Sequence, residues 1–113
     1  MKKIEAIIRV EKFEQVKEAL KKIESYPGLT KTSVEGHGKQ KGLKQQFRGT
    51  TFEVEFPQKI KLEIVAQDSD VEGIVDAIVT NARTGEVGDG KIFIYPVESV
   101  IKVRTGETDG EAL

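Results

Sequence analysis

Apolar and polar positions alternate almost from the first residue. Ile4, Ala6, Ile8 and Val10 are interleaved with Glu5, Ile7 and Arg9, the period of two that marks a strand. Phe13, Val16, Leu20 and Ile23 then recur at helical spacing. Glu14, Lys17, Glu18, Lys21 and Lys22 fill the opposite face, with pairs such as Glu18 and Lys22 four apart. Pro27 and Gly28 end that helix, and a second strand is expected from about Leu29 to Gly36, carrying the β-branched Thr30, Thr32 and Val34. Periodicity is then lost from Gly36 to Thr51, a glycine-containing basic stretch with His37, Lys39, Lys41, Lys44 and Arg48 and no acidic residue. Loops longer than roughly a dozen residues are uncommon in compact domains and tend to carry function, so a mobile functional loop is expected at about 37–55. Strand alternation resumes at Phe52, Val54 and Phe56, is punctuated by Pro57, and continues through Ile60, Leu62 and Ile64, which can form one long bent hairpin arm.

Ser69 followed by Glu72 reads as a capping box, with Asp68 and Asp70 adding favourable charge at the start of a second helix. Its apolar stripe is Val71, Ile74, Val75, Ile78 and Ala82, and Gly85 supplies the stop. A glycine-rich loop from Thr84 to Gly90 leads to a strand through Ile92, Phe93, Ile94 and Tyr95. A short apolar segment, Val100 to Val103, precedes a turn-rich tail at about 105–113. The order strand, helix, strand, strand, helix, strand predicts an α+β, ferredoxin-like split βαβ fold, an antiparallel sheet with both helices on one face. Ile7, Val65 and Phe93 fall on the other face, so that face is partly apolar and an oligomer is expected to cover it.

With 113 residues the chain fits one domain spanning 1–113, and 37% hydrophobic against 33% charged residues is a globular balance rather than that of a disordered chain. The formal net charge of -1 provides no global field for nucleic acid or an acidic membrane surface, so any anion site must be local. Without cysteine there are no disulfides, thiolate metal sites or cysteine nucleophiles. No signal-like core or membrane-length apolar run is present, so the expected location is cytoplasmic.

An enzyme reading lacks parts. The single histidine, His37, sits between two glycines with no carboxylate nearby in sequence to complete a metal or triad constellation. Neither a nucleophile elbow nor a Walker loop occurs, since Gly90-Lys91 is followed by Ile92. Two glycine clusters do stand beside basic residues: Gly36-His37-Gly38-Lys39-Gln40-Lys41-Gly42 and Gly85-Glu86-Val87-Gly88-Asp89-Gly90-Lys91. Each lets backbone N–H groups approach a ligand with lysines to match its charge, and polyphosphate suits them. A glycine-rich hairpin turn accounts for either cluster as well. Lys102 and Arg104, alternating with Val103 at the end of a last strand, either add an anionic contact or form a solvated strand edge.

Taken together, Met1 to Ile8, the two glycine clusters, Arg48-Gly49, the run from Thr84 to Phe93 and Arg104-Thr105-Gly106-Glu107 closely resemble the P-II signal-transduction proteins in order and spacing along essentially the whole chain. The resemblance implies a ferredoxin-like homotrimer with ATP or ADP in the three clefts between subunits. By position it gives Thr30 and Glu63 to adenine, beside Val65, and Gly36, Gly38, Gly88, Asp89, Gly90 and Lys91 to ribose and phosphates. Lys39, Gln40 and Thr84 belong to the same motifs, and Lys102 and Arg104 would reach across from the neighbouring subunit. It further implies 2-oxoglutarate beside ATP through a shared Mg2+, with Gln40 as an oxygen ligand of the metal and Lys59 pairing with a carboxylate, helped by Arg9, Lys41 and Gly42. Phosphates, an oxo acid and one amide suit so hard a cation.

This chain departs from the family in places. Lys39 and Lys102 stand where family members often carry arginine, which keeps charge and loses bidentate geometry. Phe52 replaces the modifiable tyrosine of many bacterial members, so uridylylation or adenylylation there is impossible, and Thr50 stands where some relatives carry a phosphorylated serine. The implied mechanism is allosteric: ligands select loop conformations, and the loop then fits or rejects a partner such as an ammonium channel, glutamine synthetase, a nitrogenase-related target or a transcription regulator. The membrane is reached only indirectly, through a transporter, and nucleic acid is not expected as a partner. The alternative reading is a P-II-like nucleotide-binding regulator that answers a different small molecule or attends a different transporter or enzyme.

Overall fold

The computed structural model of the chain describes residues 1–38, 43–47 and 50–113, the strands at 43–47 and 50–54 through their backbone. Strand β1 (Lys2–Arg9) buries Ile4, Ala6 and Ile8, and β5 (Gln58–Ala66) buries Ile60, Leu62, Ile64 and Ala66. They pair antiparallel with Ile4 opposite Ile64 and Ile8 opposite Ile60, so two apolar rows lie side by side. A slip of one residue between the strands would put one row on the opposite face from the other, which is why the register is well specified. Strand β2 (Thr30–Glu35) pairs with β5 and β6 (Lys91–Pro96) with β1, giving an all-antiparallel sheet of order β2-β5-β1-β6.

Helix α1 (Phe13–Lys21), entered through a 3-10 turn at Val10–Lys12, adds Val16 and Leu20 to the core. Helix α2 (Asp68–Ala82) adds Ile74, Ile78 and Ala82, so both helices cover the same sheet face as expected. Each fully buried Ile or Leu contributes about 1.5–3 kcal/mol, which makes these two apolar rows the main source of stability. The opposite face is left partly apolar, with Phe93 and Tyr95 each 42% exposed. Among the described residues no helix is long and apolar enough to cross a membrane.

Five local expectations are corrected. The stretch read as irregular up to Thr51 contains β3 (Leu43–Phe47) and the start of β4 (Thr50–Val54), whose Phe52 and Val54 were expected in a strand; the two form a separate antiparallel pair with Leu43 opposite Val54 and Phe47 opposite Thr50. Its strand β4 therefore ends before Pro57 and belongs to another sheet than β5, rather than continuing into it. Helix α2 starts two residues earlier than a Ser69 cap requires: Gln67 is the N-cap and carries no side-chain cap bond. The acidic first turn is drawn to tertiary partners instead, Asp68 to the Met1 ammonium at 2.9 Å and Asp70 to the Ser25 hydroxyl at 2.8 Å. On α1 Glu14 pairs with Lys17 at 2.7 Å and Glu18 with Lys21 at 3.8 Å, three apart rather than four, and Lys17 also comes within 4.0 Å of Glu18. Finally, Val100–Val103 is no strand. Only Ile101 bridges to Thr108, and the Gly106 N–H donates to Lys102 O at 2.7 Å, closing a turn that carries Lys102 and Arg104.

Candidate functional site

The two glycine turns, distant in sequence, face one cleft of about 430 Å³ whose walls include Gly36, His37, Gly38, Lys59 and the run Glu86–Lys91. Local pairing brings them there. The Gly36 N–H donates to Pro57 O at 3.1 Å, and Val34 lies opposite Lys59 in the β2–β5 ladder, so the end of β2 is held beside Lys59. From the other side, Gly90 adopts φ +104° and lies so close to β1 that a Cβ would stand 1.7 Å from Ile7 O. Only glycine allows that approach.

The turn at 84–90 is knotted around one carboxylate. Asp89 Oδ2 accepts the N–H groups of Thr84 and Gly85, each at 2.9 Å, and its Oδ1 accepts the Thr84 hydroxyl at 2.5 Å and Arg9 Nε at 3.1 Å. These donors, the Thr84 hydroxyl foremost, hold the Asp89 carboxyl far below the usual carboxylate range. Arg9 Nη2 also donates to Val87 O at 2.7 Å, so a single guanidinium ties β1 to the turn at two points. Lys59, 8% exposed, donates from Nζ to Gly88 O. Burial lowers its pKa, with the Arg9 cation adding to the effect.

The remaining residues singled out in the sequence lie elsewhere. Thr30, Glu63 and Val65 line a second depression of about 550 Å³ with Lys3, Pro27, Gly28 and Leu29, next to the C-terminal Ala112 and Leu113. There Thr30 is opposite Glu63 in the ladder, and Glu63 Oε2 meets Lys3 Nζ at 2.6 Å, which lowers the Glu63 pKa. Lys102 lies 3.8 Å from Glu107 in the C-terminal turn, and with Arg104 lines neither depression within one chain. Thr84 is engaged with Asp89. Lys39, Gln40, Lys41 and Gly42 lie outside the described residues, as does Arg48-Gly49.

Sequence reasoning missed Ile7, Glu55, Pro57 and Phe93 as further lining of the first cleft. It also missed the Asp89 knot, whose signal was present: a carboxylate four and five residues after a Thr-Gly pair is placed to accept their backbone donors. Lys59 and Lys91 give the cleft positive charge against Glu55 and Glu86, Asp89 being already paired with Arg9. His37 sits at its mouth with Nε2 4.0 Å from Glu55 and its ring 5.0 Å from that of Phe56. Among the described residues no group of three or more His, Asp or Glu can hold a metal ion.

The profile of the family described as Nitrogen regulatory protein P-II matches residues 1–107. Proteins named Nitrogen regulatory protein P-II from Synechocystis sp. and Nostoc punctiforme are 52% and 53% identical to it, and one from Azospirillum brasilense 49%, each over 113 residues covering 100% of both chains. Relatives so named form a regulatory family rather than a family of enzymes.

Proposed function

The chain belongs to the P-II nitrogen regulatory family, and on that premise we propose that it is a cytoplasmic, single-domain homotrimeric sensor binding ATP or ADP. One observation carries the nucleotide reading: Gly36–Gly38 and Gly88–Gly90 converge on one cleft with Lys59 and Lys91. Backbone close to the ligand and local cationic charge suit a polyphosphate. The Gly90 cradle fits the same reading, because a side chain there is barred by Ile7 O. Adenine would lie at Thr30, Glu63 and Val65, and Lys102 and Arg104 would complete the site from a neighbouring subunit. The exposed Phe93 and Tyr95 on the open sheet face favour such an assembly.

The effector proposed is 2-oxoglutarate with Mg2+, held by Gln40, Lys41, Gly42, Lys59 and Arg9, with Lys39 near the phosphates. The metal would supply a positive centre between phosphate and oxo-acid oxygens, and its ligands would be those oxygens and the Gln40 amide rather than a protein cage. The segment 37–55 would then present or withhold itself from a partner such as an ammonium channel or glutamine synthetase. One observation favours the second reading, a nucleotide-binding regulator with a different effector. Arg9 and Lys59, the cations expected to hold the oxo acid, are engaged by Asp89, Val87 O and Gly88 O. Calorimetry decides. ATP is expected to bind in roughly the micromolar range, more tightly when Mg2+ and 2-oxoglutarate are added together. No binding at millimolar ATP removes the nucleotide reading. An effector response unchanged in both Gln40→Ala and Lys59→Ala supports the second reading.

A further inference from the structure

We propose that the C-terminal segment Asp109–Leu113 forms one wall of the nucleobase end of the site, packing Ala112 and Leu113 beside a purine ring seated at Thr30, Glu63 and Val65. This rests on the nucleotide reading above and adds to it a segment lying beyond residues 1–107, the span the family profile matches. Asp109 is the anchor. Its carboxylate accepts the Val100 N–H and the Ser99 hydroxyl, each at 3.2 Å, and its own N–H donates to Val100 O at 2.7 Å. With φ +55° it turns the chain back into a short 3-10 helix, Asp109–Ala112. Gly110 then lies against the entrance to α2, where a Cβ would come within 3.0 Å of Gln67 Nε2.

This path delivers Ala112 and Leu113, both half-buried, to the depression of about 550 Å³ that Thr30, Glu63 and Val65 line. The lining is apolar at Pro27, Val65, Ala112 and Leu113 and polar at Thr30 and the Glu63–Lys3 pair. A flat heterocycle with a hydrogen-bonding edge fits that mixture, whereas a phosphate would meet the Glu63 carboxylate. The apolar wall contributes by removing ring surface from water and by keeping water from the polar edge.

The test compares the full chain, a variant ending at Gly110, and Leu113→Asp, which leaves the Asp109 anchor in place. Each is titrated calorimetrically with ATP and with inorganic tripolyphosphate, and the unliganded melting temperature and native mass are recorded. We expect ATP affinity to fall roughly five- to twentyfold in both variants with tripolyphosphate affinity unchanged. Equal ATP affinity in all three chains overturns the proposal, and so does an equal loss for ATP and tripolyphosphate, which marks a general structural effect. If the full chain binds tripolyphosphate but not ATP, the wall is wrong as well. If it binds neither, the nucleotide reading fails first, and the two failures are thereby told apart.

Discussion

Arg9 Nε and Asp89 Oδ1 meet at 3.1 Å, joining the end of the first strand to the glycine turn before the last. The contact matters because the same carboxylate gathers the Thr84 and Gly85 amides and the Thr84 hydroxyl. It shapes the turn that brings Gly88 and Gly90 to the cleft. Replacing Asp89 by Asn keeps a side chain of similar size and loses the charge and one acceptor. We expect Asp89→Asn to lower stability by about 1–3 kcal/mol at neutral pH.

The pH dependence of that loss has a definite sign. Because the folded Asp89 carboxyl titrates below the usual range, its contribution is fully present above the unfolded value of about 3.9 and disappears as the pH falls toward the folded value. Urea midpoints of the wild type and Asp89→Asn should differ by a constant amount between pH 5 and 8 and converge as the solution is made more acidic, about pH 4 and below. A gap that closes near neutrality instead would place the stabilising charge on another residue.

Gly90→Ala should be the most damaging glycine substitution in the turn. Its Cβ would stand 1.7 Å from Ile7 O, a backbone atom that cannot swing aside without breaking the register between β1 and β6. Gly85 has a similar φ of +91° with nothing within 4 Å of the added carbon. Gly85→Ala therefore carries only the strain of the left-handed conformation, on the order of 1–2 kcal/mol, while Gly90→Ala adds the clash and should exceed about 3 kcal/mol. Denaturant unfolding of the two variants side by side measures the difference, and equal losses would refute the close approach.

The sheet was legible because its rows answer to one core: Ile4, Ala6 and Ile8 against Ile60, Leu62 and Ile64 leave little choice of face. Strand β3 was not, since a two-stranded pair outside the main sheet need not carry an alternating apolar face, and Lys44-Gln45-Gln46 shows none. Ser69 misled for a different reason. Its local cap signal was sound, but Met1 and Ser25 claim Asp68 and Asp70 through tertiary contacts no local pattern reveals. Within the site, the glycine turns were legible from their motifs and Lys59 only through the family resemblance, while the Asp89 knot and the separateness of the phosphate-type cleft and the Thr30–Glu63 depression emerge only from the fold.

Gly73, inside α2, offers a substitution in the opposite direction. Nothing lies within 4 Å of an added Cβ, and its backbone is ordinary helix. Glycine in a helix interior costs about 0.5–1 kcal/mol relative to alanine through the freedom it keeps when unfolded. Gly73→Ala should therefore raise stability by about that amount with no change in ligand affinity, as thermal unfolding and ATP titration would record. A destabilised variant would mean that this face of α2 is covered by another protein surface in the assembled protein.

Lys59 provides a test at alkaline pH. Burial and the neighbouring Arg9 lower its folded pKa, so the folded state holds this proton less tightly than the unfolded chain does. Between the lowered folded value and the unfolded value of about 10.4, the unfolded state binds more protons, and stability must rise with pH. Lys59→Met keeps the long apolar stem and removes the cation. The wild type should thus gain stability relative to Lys59→Met as the pH is raised above neutrality toward about 10, whereas Lys3 and Lys17, whose pKa values are raised, cancel in the difference. Paired urea titrations at several pH values read this directly. A wild type that instead loses ground to the variant on alkalinisation would show that the bond to Gly88 O outweighs desolvation and that Lys59 is held as a firmly charged group.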